Sequence, residues 1–217
     1  DNLTKVIGWT LPTNGGEAFT IILAILFGLT LPVTAVQILW INMVTAVALG
    51  LTLAFEPTEP GTMERPARPA HMPLLSGRLV WRILFVSALM VSGTFGVYAW
   101  ATSRGLEVET ARTMVVNTIV VMEIFYLFSV RFVHGTSLTW QGVLGTRAVL
   151  IGVATVVVAQ VAFTYFPPFH PIFGTRPLTI EQGLLTIAAG VALLVVVEIE
   201  KRIAFAAARR ATAKGTA

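Results

Sequence analysis

Asn14 and Glu17 stand three residues apart in "LPTNGGEAFT", and Asn42 and Thr45 stand three apart in "ILWINMVTAVALG". On a helix that spacing puts both members of each pair on one face. A third group, Glu123, sits in the apolar run "VVMEIFYLFSVR". Carboxylate, amide and hydroxyl oxygens are hard ligands, the kind that Ca²⁺, Mg²⁺, Na⁺ and K⁺ prefer. Pro12, Gly15 and Gly16 surround the first pair. Proline removes a backbone hydrogen bond, and glycine lets a neighbouring helix or an ion come close. The expected result is a helix break whose freed carbonyls join the carboxylate in binding a cation. The same residues also fit a kinked helix whose protonated glutamate bonds to a neighbour. Asn42 and Thr45, taken alone, also fit an interhelical hydrogen bond.

The elements that position these groups are membrane spans. Of the 217 residues, 55% are hydrophobic and 12% are charged, against about 25% charged in soluble domains. The mean hydropathy is +0.80. A span needs about 20 largely apolar residues. The pattern predicts an all-α, polytopic bundle of six transmembrane helices near 6–28, 34–55, 79–101, 113–130, 148–166 and 180–197. Pro-rich "EPTEPGTMERPARPAHMP" reads as an extended loop, "PPFHPIFGTRPLT" as a Pro-broken turn, and the basic tail after residue 200 as fraying.

With six spans both termini fall on one side. Twelve of the fifteen Lys and Arg residues lie on that side, and only Arg104, Arg112 and Arg176 lie opposite. Positive residues favour the cytoplasmic face, so both termini are expected in the cytoplasm of a multi-pass cell-membrane protein. The same placement accounts for a pI near 10.0 without a nucleic-acid partner.

Of eleven acids, only Glu17 and Glu123 lie deep within expected spans. Ionisable residues at that depth are costly and are functional candidates. Glu198 and Glu200, beside Lys201 and Arg202, read as an interfacial charge cluster. Gln160 reads as interhelical glue, and Ser92 with Gly96 as a close-packing step. Trp40, Trp81 and Trp100 read as packing and interfacial anchors. The absence of cysteine excludes disulfides and thiolate chemistry. His71, His134 and His170 fall in three loops without metal-ligand spacing, so no Cys/His metal site is expected. There is no Walker-type glycine loop, G-x-S-x-G or H-E-x-x-H. The chain starts "DNLTKVIGWT", with no Met and no leader, and reads as a segment of a longer protein.

Three motifs in order, "DNLTKVIGWTLPTNGGE", "VQILWINMVTA" and "FEPTEPGTMERPARP", resemble the type II P-type cation-transporting ATPases. Further on, "ARTMVVNTIVVMEIFYLFSVR" is similar to the family's eighth helix and "PLTIEQGLLTIAAGVALLVVVEIEKRI" to its tenth. The resemblance implies that the chain is the C-terminal transmembrane domain, helices five to ten. It implies partners on the same polypeptide: helices one to four and the phosphorylation, nucleotide-binding and actuator domains. It also implies ATP and Mg²⁺ for the intact pump, with phosphorylation of an aspartate in a "DKTGT" motif that this chain lacks, so no catalytic residue is expected here. By position, Asn14 and Glu17 match cation ligands of the fifth helix, Asn42 and Thr45 ligands of the sixth, and Glu123 the acid of the eighth.

One departure bears on the ion. Calcium and sodium pumps have Asp after the sixth-helix threonine, in a "TDG-P" pattern, where this sequence has Ala46. "TAVALG" also lacks the Gly and Pro that help unwind that helix. With two buried carboxylates at most, one cation is expected rather than two Ca²⁺, and Glu17 is expected to be able to carry a proton. A stand-alone six-span channel or transporter, or a non-transporting scaffold, are the competing readings.

Overall fold

The computed structural model describes residues 2–55, 77–131 and 146–215, and these are helical apart from short connections. The elements are α1 (Asn2–Leu26), α2 (Ala35–Thr45), α3 (Leu51–Ala54), α4 (Gly77–Ser103), α5 (Val108–Val130), α6 (Arg147–Tyr165), α7 (Phe169–Phe173) and α8 (Ile180–Gly215). A π-helical turn, Ala46–Gly50, joins α2 to α3 so that the three form one span. The long Pro-rich loop, with His71, and most of the loop holding His134 lie outside the described residues.

Five of these elements are long and apolar enough to cross a membrane: 35–54, 77–103, 108–130, 147–165 and 180–206. The sixth expected span, α1, has the length at 25 residues but is not among the five. Pro12, Asn14 and Glu17 dilute its apolar character. The bundle is a polytopic membrane fold with five helices long and apolar enough to span.

Local chemistry sets the helix starts. Thr34 and Gln37 form a reciprocal capping box at α2, with Gln37 N–H on Thr34 Oγ1 (3.4 Å) and Thr34 N–H on Gln37 Oε1 (3.0 Å). Thr179 and Gln182 repeat it before α8, at 2.8 and 3.3 Å. Each box satisfies two backbone donors that a helix start leaves open. Gly28 ends α1 with φ +63°, which lets Leu29 N–H reach back to the Ala24 carbonyl at 2.8 Å.

Two expectations about the ends are corrected. The Pro-broken turn before α8 contains the short helix α7, whose Phe169 and Phe173 pack on Trp40 with Phe163. The C-terminal tail does not fray after residue 200, because α8 continues to Gly215. "AFAAARRATAK" consists largely of strong helix formers, which sustains it.

The centre of the bundle is α5. Two thirds of its most apolar stretch (67%) is buried inside the protein, against 28–33% for the other spans. Small residues let neighbours approach closely. A Cβ on Gly16 would come within 2.7 Å of Met90 Cβ, and one on Gly190 within 2.5 Å of Val121. On α4 the close contact is Gly93, where a Cβ would meet Met122 Sδ at 2.9 Å, and not the expected Ser92–Gly96 step. Ser92 and Gly96 are exposed, rotated from Gly93 onto the outer face.

Gly152 makes the most restrictive crossing, since its Cβ would sit 2.6 Å from the Ala48 carbonyl in the π turn. A backbone oxygen cannot rotate away, so Gly152→Ala is expected to cost about 1–3 kcal/mol through overpacking. Gly96→Ala, with nothing within 4 Å of the new methyl, is expected to be neutral or slightly stabilising. Thermal unfolding of both variants in detergent checks the pair, and equal effects would contradict the crossing.

Candidate functional site

The first group of ligands is assembled where α1, α2 and α5 meet. Glu17 is buried, 4% exposed, and Glu123 is 1% exposed. Asn42 Nδ2 donates to Glu17 Oε2 at 2.6 Å and to the Ile38 carbonyl at 3.2 Å. The amide nitrogen is thereby engaged on both sides. The Glu123 carboxyl lies against the Glu17 carboxyl and the Thr45 hydroxyl. Thr45 Oγ1 is also 3.0 Å from the Ile41 carbonyl, and its single proton serves one of these acceptors at a time.

Glu17 Oε1 and Glu123 Oε2 are both buried and have no hydrogen-bond donor. Among the described residues no Lys, Arg or His pairs with either carboxyl. Two adjacent carboxylates cannot both stay charged in a low-dielectric interior without a cation or a proton between them. The donor set of two carboxylates, an amide oxygen and a hydroxyl is all hard oxygen, and it fits a hard cation. Among the described residues no group of three or more His, Cys, Asp and Glu gathers in one place.

Four of the five expected ligands, Glu17, Asn42, Thr45 and Glu123, are therefore brought together. Asn14 is not. It is exposed on α1, about 60° of helix rotation from Glu17, and among the described residues it joins no hydrogen bond to the cluster.

The expected break at Pro12, Gly15 and Gly16 is absent, because α1 runs through all three as one helix. Pro12 still leaves its mark. Lacking an N–H, it cannot bond the Gly8 carbonyl four residues back. Tyr126 Oη fills that gap, donating to Gly8 O at 2.8 Å. Gly15 and Gly16 serve close packing on α4, and Ser87 Oγ donates to the Pro12 carbonyl at 2.9 Å. The irregular backbone lies instead in the second span. There the π turn begins at Ala46, although "TAVALG" was not expected to unwind. π turns interrupt the regular ladder and recur at functional sites.

Two anchors found by the structure hold α5 against α1. One is the Tyr126 bond. The other is Trp9 Nε1, which donates to the Glu123 main-chain carbonyl at 3.1 Å. The proline gave a signal for the first, since it names Gly8 as the orphaned acceptor. A bond to a main-chain carbonyl gave none for the second. Gln160 does act as interhelical glue, accepting from Trp40 Nε1 at 3.4 Å. Trp40 is buried, while Trp81 is exposed and stacks on Phe85. Trp100 carries the Arg104 guanidinium over its ring. His170 turns Nε2 toward the Thr164 carbonyl at 3.1 Å, a local structural contact.

The expected interfacial cluster on α8 is a buried network. Glu198 and Lys201 are 4% and 5% exposed and pair at 3.0 Å. Ser129 Oγ donates to Glu198 at 3.0 Å, and Lys201 Nζ donates to the Ser129 carbonyl. Arg82 on α4 reaches Glu200 at 3.5 Å. The i, i+3 spacing of Glu198 and Lys201 turns both toward α5.

The family described as "Cation transporting ATPase, C-terminus" matches residues 30–203. The chain belongs to that family. It is 46% identical over 198 residues to the probable cation-transporting ATPase F of Mycobacterium tuberculosis, covering 91% of this chain and 22% of that protein. It is 30% identical over 207 residues to the cation-transporting ATPase pma1 of Synechocystis sp., covering 93% and 23%. It is 28% identical over 205 residues to the human calcium-transporting ATPase type 2C member 1, covering 94% and 22%. The chain thus spans less than a quarter of the length of these curated relatives, and it corresponds to the membrane region of a P-type cation-transporting ATPase.

The Tyr126–Gly8 bond can be tested through the proline that makes it necessary. Tyr126→Phe is expected to cost about 1–3 kcal/mol, the penalty of an unsatisfied buried acceptor. In a Pro12→Ala background residue 12 supplies its own N–H to Gly8, so the same substitution should cost clearly less. Unfolding of the four variants checks this, and equal cost in both backgrounds would contradict it.

Proposed function

We propose that this chain is the ion-binding and translocating membrane domain of an ATP-driven cation pump. The observation that carries the reading is the pair of buried, unpaired carboxyls, Glu17 and Glu123, flanked by Asn42 and Thr45. In the intact pump ATP and Mg²⁺ act at cytoplasmic domains outside this chain, and the chain itself contributes no phosphorylated aspartate. Both termini face the cytoplasm, in line with the distribution of Lys and Arg. Asn14 lies exposed beside the cluster, about 60° around α1 from Glu17, on a side that the remaining helices of such a pump would cover.

The transported cation is substrate, and the residues present suit one ion. Glu17 and Glu123 supply the charge, Asn42 Oδ1 and the Thr45 hydroxyl complete a set of neutral oxygens, and Asn42 Nδ2 fixes the Glu17 carboxylate. Ala46 contributes no anionic ligand. High-affinity Ca²⁺ sites use several carboxylates, so two Ca²⁺ per cycle do not suit this site. When the cation leaves, a proton shared between the two carboxyls can replace its charge, which gives the pump a return ion without a further site.

In the full-length protein Glu17→Gln is expected to abolish cation-stimulated ATP hydrolysis, a loss of at least about a hundredfold for a charged ligand worth some 3 kcal/mol. Normal turnover with unchanged ion dependence would defeat the assignment. Ala46→Asp restores an anionic oxygen at the start of the π turn. It should shift the stimulating ions toward divalent cations when Na⁺, K⁺, Mg²⁺ and Ca²⁺ are compared, and an unchanged ranking would mean that Ala46 does not set the ion.

A further inference from the structure

Trp9 has the largest fully buried side chain among the described residues, at 2% exposed. It stands on α1, about 12 Å along the axis before Glu17. Its contacts lie on the two other helices of the site. Nε1 donates to the Glu123 main-chain carbonyl on α5 at 3.1 Å. The far edge of the ring, Cζ3, lies 3.8 Å from where a Cβ on Gly50 would stand, at the end of the π turn. One indole therefore reaches all three helices whose side chains form the carboxyl cluster.

Those contacts are all displaced from the ligands toward the same end. α1 and α5 run antiparallel, since Glu17 lies against Glu123 while Gly8 meets Tyr126. α1 and the second span do likewise, with Asn42 on Glu17 and Gly50 on Trp9. Trp9 precedes Glu17, Gly50 follows Thr45, and the carbonyl of Glu123 points toward the C-terminal end of its helix, as helix carbonyls do. The indole thus lies between the carboxyl cluster and the N-terminal end of α1. Leu49 and Leu53 of the second span and Leu127 of α5 are placed toward that same end, belong to the same core and are fully buried.

We infer that Trp9 seals the ion site on the α1 N-terminal side: its indole closes the seam between α1, the second span and α5, so that neither cations nor water reach Glu17 and Glu123 from that end. The inference rests on the reading of those acids as the ion site. An indole spans the gap to two neighbouring helices from a third, and its N–H is buried at little cost because the Glu123 carbonyl accepts it. The bond goes to the main chain of a ligand residue, so the seal keeps its register with the acid it protects. A cation held by the carboxyls is barred from slipping back along this seam.

The test uses the full-length protein in membrane vesicles and a water-soluble carbodiimide, which forms a stable acylurea on a protonated carboxyl. Orthovanadate, a mimic of the phosphoryl group, holds the cycle in one state. The reagent is applied from each side in turn, and peptide mapping reads the labelling of Glu17 and Glu123. In Trp9→Ala, labelling from the α1 N-terminal side is expected to rise about tenfold or more, because truncating a buried tryptophan leaves a void. Labelling from the other side should stay unchanged. Trp9→Phe keeps a ring in the seam and loses the N–H bond, so it should stay within about threefold of the unmodified protein. Trp9→Leu keeps the core apolar, should fall between the two, and carries the test if Trp9→Ala fails to fold. Trp81→Ala, at an exposed tryptophan, is expected to change nothing. Equal labelling in every Trp9 variant and the unmodified protein, or a rise of the same size from both sides, would overturn the seal. The labelling needs no turnover, so its outcome is separate from the effect of Glu17→Gln on hydrolysis. Faster labelling in Trp9→Ala, together with normal hydrolysis in Glu17→Gln, would leave the seal standing and defeat only the ion site.

Discussion

A carboxylate inside hydrocarbon must meet a cation, a proton or a donor, and this chain sets two carboxylates side by side at that depth. Asn42 satisfies one oxygen of Glu17, and one oxygen on each acid remains unmet. Burying uncompensated charge costs several kcal/mol per ion. An arrangement of that kind is stable only if an exchangeable positive charge completes it. The rest of the bundle can be understood as what holds these two acids at a fixed separation.

The holding is done mostly by main-chain atoms. Pro12 withholds one N–H from α1, and the acceptor it orphans becomes the anchor for Tyr126, one turn from Glu123. Trp9 grips the carbonyl of Glu123 itself. Ser87 ties α4 to the Pro12 carbonyl, and Gly15 and Gly16 let α4 come close enough to do so. Nearer the α8 end, the Glu198–Lys201–Ser129 network fastens α8 to α5. A shift of α1 along its axis therefore strains bonds to α4 and α5 together, and it displaces Glu17 relative to Glu123.

The site's members were readable in the sequence because acids and amides are conspicuous in apolar spans. Glu17, Asn42 and Thr45 stood out by type and by i, i+3 spacing and Glu123 by type alone; the structure gathers these four and leaves Asn14, the spaced partner of Glu17, exposed. The helix positions were readable for the same reason, since about 20 apolar residues mark a span. What the sequence hid was rotation. Gly93 and Gly96 differ by three positions, yet one meets Met122 and the other faces outward. Glu198 and Lys201 carry charges at a span's end, which suggests an interface, but their mutual pairing lets them turn inward. The break expected at Pro12 did not form, because a donor from another helix replaces the missing bond. The irregular turn occurs at Ala46–Gly50, where no proline announced it.

The most direct test of the account is the coupling between Glu17 and Glu123. The affinity for the stimulating cation would be measured by equilibrium binding to the purified full-length protein, for Glu17→Gln, Glu123→Gln and the double variant. If both acids hold one ion, either single substitution does most of the damage, and the double variant is little worse than the worse single. Residues that act on one ligand are strongly non-additive in this way. Effects that simply add would mean that the two carboxyls serve separate ions or separate purposes, and would contradict a shared site.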